Sequence, residues 1–133
     1  MPTAGSGWRS VVLKESAGDL SYALYSADGA SRPGGWINNP TEHSVRGTAA
    51  VALNTWTHPA VTYDGSSMRF YTNGVLVRTT SSVTAIKPST GNLRIGGNSV
   101  WGEFFSGLID DVRIYNRPLT ATEIQTDMAT AVQ

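Results

Sequence analysis

The chain has no cysteine, which removes disulfides, thiolate metal sites and thiol nucleophiles together. It also lacks net charge, with ten basic and ten acidic residues, so no broad electrostatic footprint points to nucleic acid or an anionic membrane surface. Neither partner is expected. No apolar run approaches the roughly 18 residues that cross a bilayer, and the opening MPTAGSGW has neither the basic start nor the apolar stretch of a secretory signal. Helical periodicity is scarce. What remains is a chain of 133 residues, 40% apolar, long enough for one hydrophobic core and too short for two, so residues 1–133 are read as a single domain.

Fourteen glycines and many Ser, Thr and Asn residues separate short segments rich in Val, Ile, Tyr and Trp, which is the pattern of an all-β sandwich. Nine strands are expected. They fall at Arg9 to Lys14, Leu20 to Ser26, Gly34 to Asn38, Thr48 to Leu53, Trp56 to Tyr63, Ser67 to Thr72, Val75 to Thr80, Asn92 to Gly97 and Ser106 to Asn116. The sharpest signal is MRFYTNGVLVRT, where Asn73-Gly74 suits a type I′ turn between two alternating runs. Met68, Phe70 and Thr72 should pack there, while Arg69 and Tyr71 stay wet. A helix is expected after Pro118, because Thr120 and Glu123 have capping-box spacing and Leu119 and Ile124 are placed as a hydrophobic staple. Ile124 and Met128 would then form its docking stripe.

Asp110 and Asp111 sit side by side in the last of these segments, and strand geometry points them to opposite faces, so they cannot flank one bond as an acid and base pair. Asp110 shares a face with Val112 and Ile114. Asp111 shares one with Arg113, as an exposed pair of small energetic weight.

Three stretches together, NTWTHPAVTYDGSSMRFYTNGVLVRTT, LRIGG and FFSGLIDDVRIYNRPLTATEI, resemble the laminin G-like domains of the concanavalin A-like lectin and glucanase superfamily. The resemblance runs in order from about Trp8 to the C-terminus and implies a jelly-roll sandwich of two antiparallel sheets. Pro59 stands where the family usually has an aliphatic residue, which removes a ladder donor and suggests an edge strand or a bulge. Complete members also begin with further strands, one of which neighbours the segment equivalent to residues 106–116. Their absence would leave unpaired backbone, so a homo-oligomer, a dimer first of all, is expected beside the alternative of a smaller closed sandwich. The resemblance further implies a structural Ca²⁺ with Asp110 as ligand, against the alternative that Asp110 accepts backbone N–H bonds.

Jelly-roll glycosidases of the same superfamily carry their acids as E-x-D-x-E or E-x-D-x-x-E on one strand face, and no such string occurs here. The histidines, His43 and His58, lack zinc-site spacing, and no G-x-S-x-G elbow is present. His58 reads as a satisfied or half-buried residue, and His43, in NNPTEHSVRG, as one within reach of a ligand. Trp8 and Trp56 are read as core plugs. Trp36 and Trp101 lie among Gly and Asn, so core and outward-facing positions both stay open for them. If outward, they form with Asn38, Arg46, Asn98 and Glu103 a set able to stack on a sugar ring and hydrogen-bond its hydroxyls. The expected function is therefore a non-catalytic carbohydrate-binding module of an exported bacterial-type, extracellular protein. A protein-interaction domain and a small polysaccharide-active enzyme are the alternatives.

Overall fold

The structure, a computed structural model, describes residues 1–81 and 84–132. Eight strands and one helix occur among them: β1 (Arg9–Ser16), β2 (Asp19–Ala27), β3 (Gly34–Asn38), β4 (Glu42–Arg46), β5 (Pro59–Tyr63), β6 (Ser67–Thr72), β7 (Val75–Ser81), β8 (Leu93–Ile95) and α1 (Ala121–Met128). They build an antiparallel five-stranded sheet, ordered β4-β3-β2-β1-β8, and a three-stranded sheet, β5-β6-β7. The fold is the expected all-β sandwich with a short C-terminal helix.

Register assigns the two faces of the larger sheet. Arg94, Leu13, Ala23, Trp36 and Ser44 are successive cross-strand partners and so share one face. The neighbouring row, Ile95, Val12, Leu24, Gly35 and Val45, points the other way. That second row is the inner one, because Ile37 and Val45 pack against Met68 and Phe70 of the small sheet. Gly35 permits the approach of the sheets: a Cβ there would lie 2.5 Å from a methyl of Val61. The outer row has a cluster of its own, with Leu13, Leu20, Ala23, Tyr25 and Trp36 all buried.

Local signals held where they were strongest. Asn73 and Gly74 both have positive φ and form a two-residue turn between Thr72 and Val75. Pro59 opens β5, the outer strand of its sheet, where a missing N–H breaks no interior ladder. Thr120 and Glu123 form the capping box at the start of α1. Only Ile124 of the predicted stripe is buried, Met128 being 42% exposed, and Gln125 Nε2 completes the docking by donating to the Gly74 carbonyl. Tyr71 is buried rather than wet, since the β6–β7 ladder shifts register between Phe70 and Tyr71.

Two strand expectations fail. Residues 48–53 form no strand, and the fourth strand is instead the polar Glu42–Arg46. It is an edge strand, where charged side chains are tolerated on the outer face while Val45 alone fills the core. Residues 106–116 belong to no ladder either. Met1 and Leu108 exchange hydrogen bonds, and the Thr3 N–H reaches the Ser106 carbonyl, so pairing begins at the N-terminus. From 109 to 116 no backbone-to-backbone bond occurs among the described residues, and Asp111 takes a φ of 49° that breaks the extended line. High β-propensity cannot make a strand without a partner. An apolar cavity of about 810 Å³ accordingly remains between the sheets, lined by Val12, Leu24, Ile37, Val61, Met68 and Ile114 among others.

Candidate functional site

The outer face of the five-stranded sheet gathers the aromatic and polar residues. Trp36, on β3 beside the edge strand, is 1% exposed and meets Tyr25 and Trp8 edge-on, at 4.9 and 5.3 Å between ring centroids. Trp8 meets Tyr25 in the same way at 5.0 Å and is 36% exposed, so it forms the solvent side of an aromatic trio. The Arg46 guanidinium lies 5.5 Å from the Trp36 ring and is held by the Asp28 carboxylate at 3.3 Å. The Asp28 side chain is 2% exposed and also accepts from the N–H groups of Ala30 and Arg32, which closes the β2–β3 turn.

One rim of this face is the loop after β8. Glu15 anchors it by accepting from the Ser99 N–H and hydroxyl and from Arg94, and these donors hold its carboxyl pKa below the usual value. Asn98 donates to Ser10 at 2.8 Å and to Glu103 at 2.9 Å, and accepts from the Trp101 N–H. Glu103 in turn accepts from the Tyr25 hydroxyl at 2.9 Å. Burial, then Glu103, pushes the Tyr25 pKa far up, so it stays a neutral donor. The other rim is β4. Glu42 projects there opposite Asn38, whose amide donates to Asp19. Partial burial, then the nearby Asp19 and Glu103, raises the Glu42 pKa, with Arg46 opposing. Trp36 Nε1 and Asn38 Oδ1, buried polar atoms on this face, have no partner among the described residues.

The six residues expected to bind ligand thus lie on one face of one sheet or on its rim, in different roles. Arg46, Glu103 and Trp101 reach solvent, the last 47% exposed. Trp36, Asn38 and Asn98 are buried, so no sugar ring can lie directly on Trp36. Trp8 and Trp56, read as core plugs, are not, the latter being 55% exposed, and of the two left open Trp36 is the core plug while Trp101 faces outward. Trp8, Tyr25, Asp19 and Glu42 were missed. Trp8 carried the signal already used for the other two, since AGSGW also surrounds a large ring with small residues.

Other expectations place less. His43 faces inward as the cross-strand partner of Ile37, away from this site. His58 is half-buried and its Nδ1 lacks a partner; burial, then the Arg113 charge, lowers its pKa. Asp110 is exposed and accepts the N–H of Asp111. Asp111 bonds the Val132 N–H rather than Arg113, which instead donates to the carbonyls of Asp127 and Thr130 at the end of α1, where a positive charge suits the helix dipole. No group of three or more His, Asp or Glu side chains able to hold a metal ion occurs among the described residues. Asp110 alone is a poor fit to calcium, which takes several oxygen ligands.

No curated protein sequence matches the chain. Solved structures do. A putative carbohydrate binding protein from Bacteroides ovatus matches with a TM-score of 0.79 at 20% identity, over 99% of this chain and 39% of its own. This chain therefore spans about two fifths of that protein's length. The CBM40 domain of the Ruminococcus gnavus IT-sialidase, solved with α2,3-sialyllactose, matches with a TM-score of 0.74 at 21% identity, over 94% of this chain and 76% of its own. An S-layer domain-containing protein from Clostridium thermocellum matches with a TM-score of 0.54 at 22% identity, over 92% and 63%. At these identities the likeness shows the fold. Residues 1–125 match the Laminin_G_3 model of the concanavalin A-like lectin/glucanases superfamily, and the chain belongs to that family.

Proposed function

We propose that the chain is a carbohydrate-binding module that works without catalysis, as part of an extracellular protein. The observation carrying this is the half-open aromatic trio on the outer sheet face, with Trp8 uppermost and the Glu103, Arg46 and Glu42 polar groups around it. A glycan stacks its C–H faces on both Trp8 and Trp101, while the charged groups take its hydroxyls; little rearrangement is needed because Asp28, Tyr25 and Asn98 already fix their partners. The ligands named for the Bacteroides and Ruminococcus proteins support the class of ligand. Trp101→Ala should abolish retention on an insoluble glycan in affinity electrophoresis and leave the melting temperature unchanged. Retention equal to that of the parent would reject this site.

A second reading, self-association, is favoured by a separate observation. Residues 109–116 present unpaired backbone next to an apolar cavity, and Leu108, Ile114 and Tyr115 are about half exposed, at 56%, 51% and 46%. A homodimer covers that segment with a copy of itself. Light scattering at tens of micromolar should give twice the chain mass, and a single-chain mass would rule the dimer out.

A further inference from the structure

The polar groups on the β4 side of the outer face are short of hydrogen-bond donors and of positive charge. Among the described residues Asp19 accepts only from neutral groups, the Leu20 N–H and the Asn38 amide. Glu103 likewise accepts from Tyr25 and Asn98, both neutral. The Glu42 carboxylate joins no side-chain hydrogen bond or salt bridge among the described residues, its backbone alone belonging to the β3–β4 ladder. The arginines nearby are bonded elsewhere: Arg46 to Asp28, from where only its field reaches Glu42, Arg94 to Glu15, and Arg9 to the carbonyls of Ser6 and Phe104. Lys87 bonds the Asn38 carbonyl through its backbone N–H, and its side chain joins none of the salt bridges.

An independent observation points the same way. Asn38 is 4% exposed, its amide nitrogen is spent on Asp19, and its oxygen is left as an acceptor with no donor among the described residues. Asn38 is also the cross-strand partner of Glu42, so the unsatisfied acceptor belongs to the same group as the two carboxylates. A hydroxyl is a single donor and carries no charge. An ammonium group brings three donors and a positive charge, which is what this set lacks.

We infer that Asp19, Asn38 and Glu42 form a subsite for the protonated amine of an amino sugar, so that the module selects glycans with free amines over neutral or acidic ones. This rests on the carbohydrate-binding reading, and names a ligand of opposite charge to the sialyllactose held by the Ruminococcus domain. The Glu42 carboxyl fits this arrangement, because burial first and then the charge of Asp19 raise its pKa, and a cation between the two carboxylates offsets both.

The test is calorimetric titration of the whole chain, at mildly acidic pH and low salt, with a glucosamine oligomer, its N-acetylated counterpart, sialyllactose and trilysine. The free-amine oligomer should bind on the order of tenfold tighter than the N-acetylated one, and the advantage should shrink as salt is raised. Glu42→Gln should remove most of that advantage while leaving the melting temperature in place. Equal affinity for the two oligomers, or tighter binding of sialyllactose, overturns the amine subsite and leaves the module reading standing. Trilysine binding as tightly as the amino sugar overturns it too, by making the ligand a bare cation. Silence with every glycan defeats both readings.

Discussion

Trp36→Ala destabilises the fold by about 3–5 kcal/mol, the usual cost of deleting a fully buried large aromatic. A domain of this kind has only about 5–15 kcal/mol in hand, so the loss is a large share of the total. The expected size follows from position. Trp36 is the largest of the fully buried side chains, it sits on β3 with a strand on either side, and both Trp8 and Tyr25 meet it edge-on. Removing the ring opens a cavity that Trp8 can refill only by leaving its place at the surface. Chemical denaturation should therefore report a lowered midpoint, and any glycan binding should fall with it. A midpoint within about 1 kcal/mol of the parent would mean that the outer cluster is not a second core. Trp101→Ala makes the contrast, because its ring is half exposed and its loop is fixed by Asn98 and Glu15 instead.

Asp28→Ala should cost about 3 kcal/mol. Breaking one partner out of a buried ion pair costs about 3–5 kcal/mol, and the low end applies because Arg46 is 46% exposed and water can rescue it. The substitution also strips the acceptor from two backbone N–H groups in the β2–β3 turn. Its signature differs from that of Trp36→Ala. Arg46 loses the anchor that keeps it over Trp36, so Arg46→Ala should cost much less in Asp28→Ala than in the parent, which a double-mutant cycle on denaturation midpoints would read. Additive losses would mean that the two groups act separately.

What the amino-acid order made readable was what depends on neighbours along the chain. The Asn73-Gly74 turn and the Thr120–Glu123 box each need only a few adjacent residues, and both formed. The family resemblance supplied the sandwich in the same way. The strand at Glu42–Arg46 was hidden because its one inward apolar residue is Val45, and an edge position asks for no more. Residues 109–116 misled in the opposite sense, with strand-like composition and no ladder to join. The tryptophans show a further limit. Glycine neighbours mark Trp8, Trp36 and Trp101 alike, and which ring is buried depends on cross-strand partners that a local window does not contain.

The hydrogen bonds between Met1 and Leu108 have a practical side. Residues fused ahead of Met1 leave the body of the molecule beside Leu108, running antiparallel to 109–115. An affinity handle attached there competes for the same unpaired backbone and for the cavity beneath it, and can alter both shape and association state. A handle placed after α1 starts close to the same segment, because Val132 donates its N–H to Asp111, so comparing both attachments with the untagged chain is the control for every measurement proposed above.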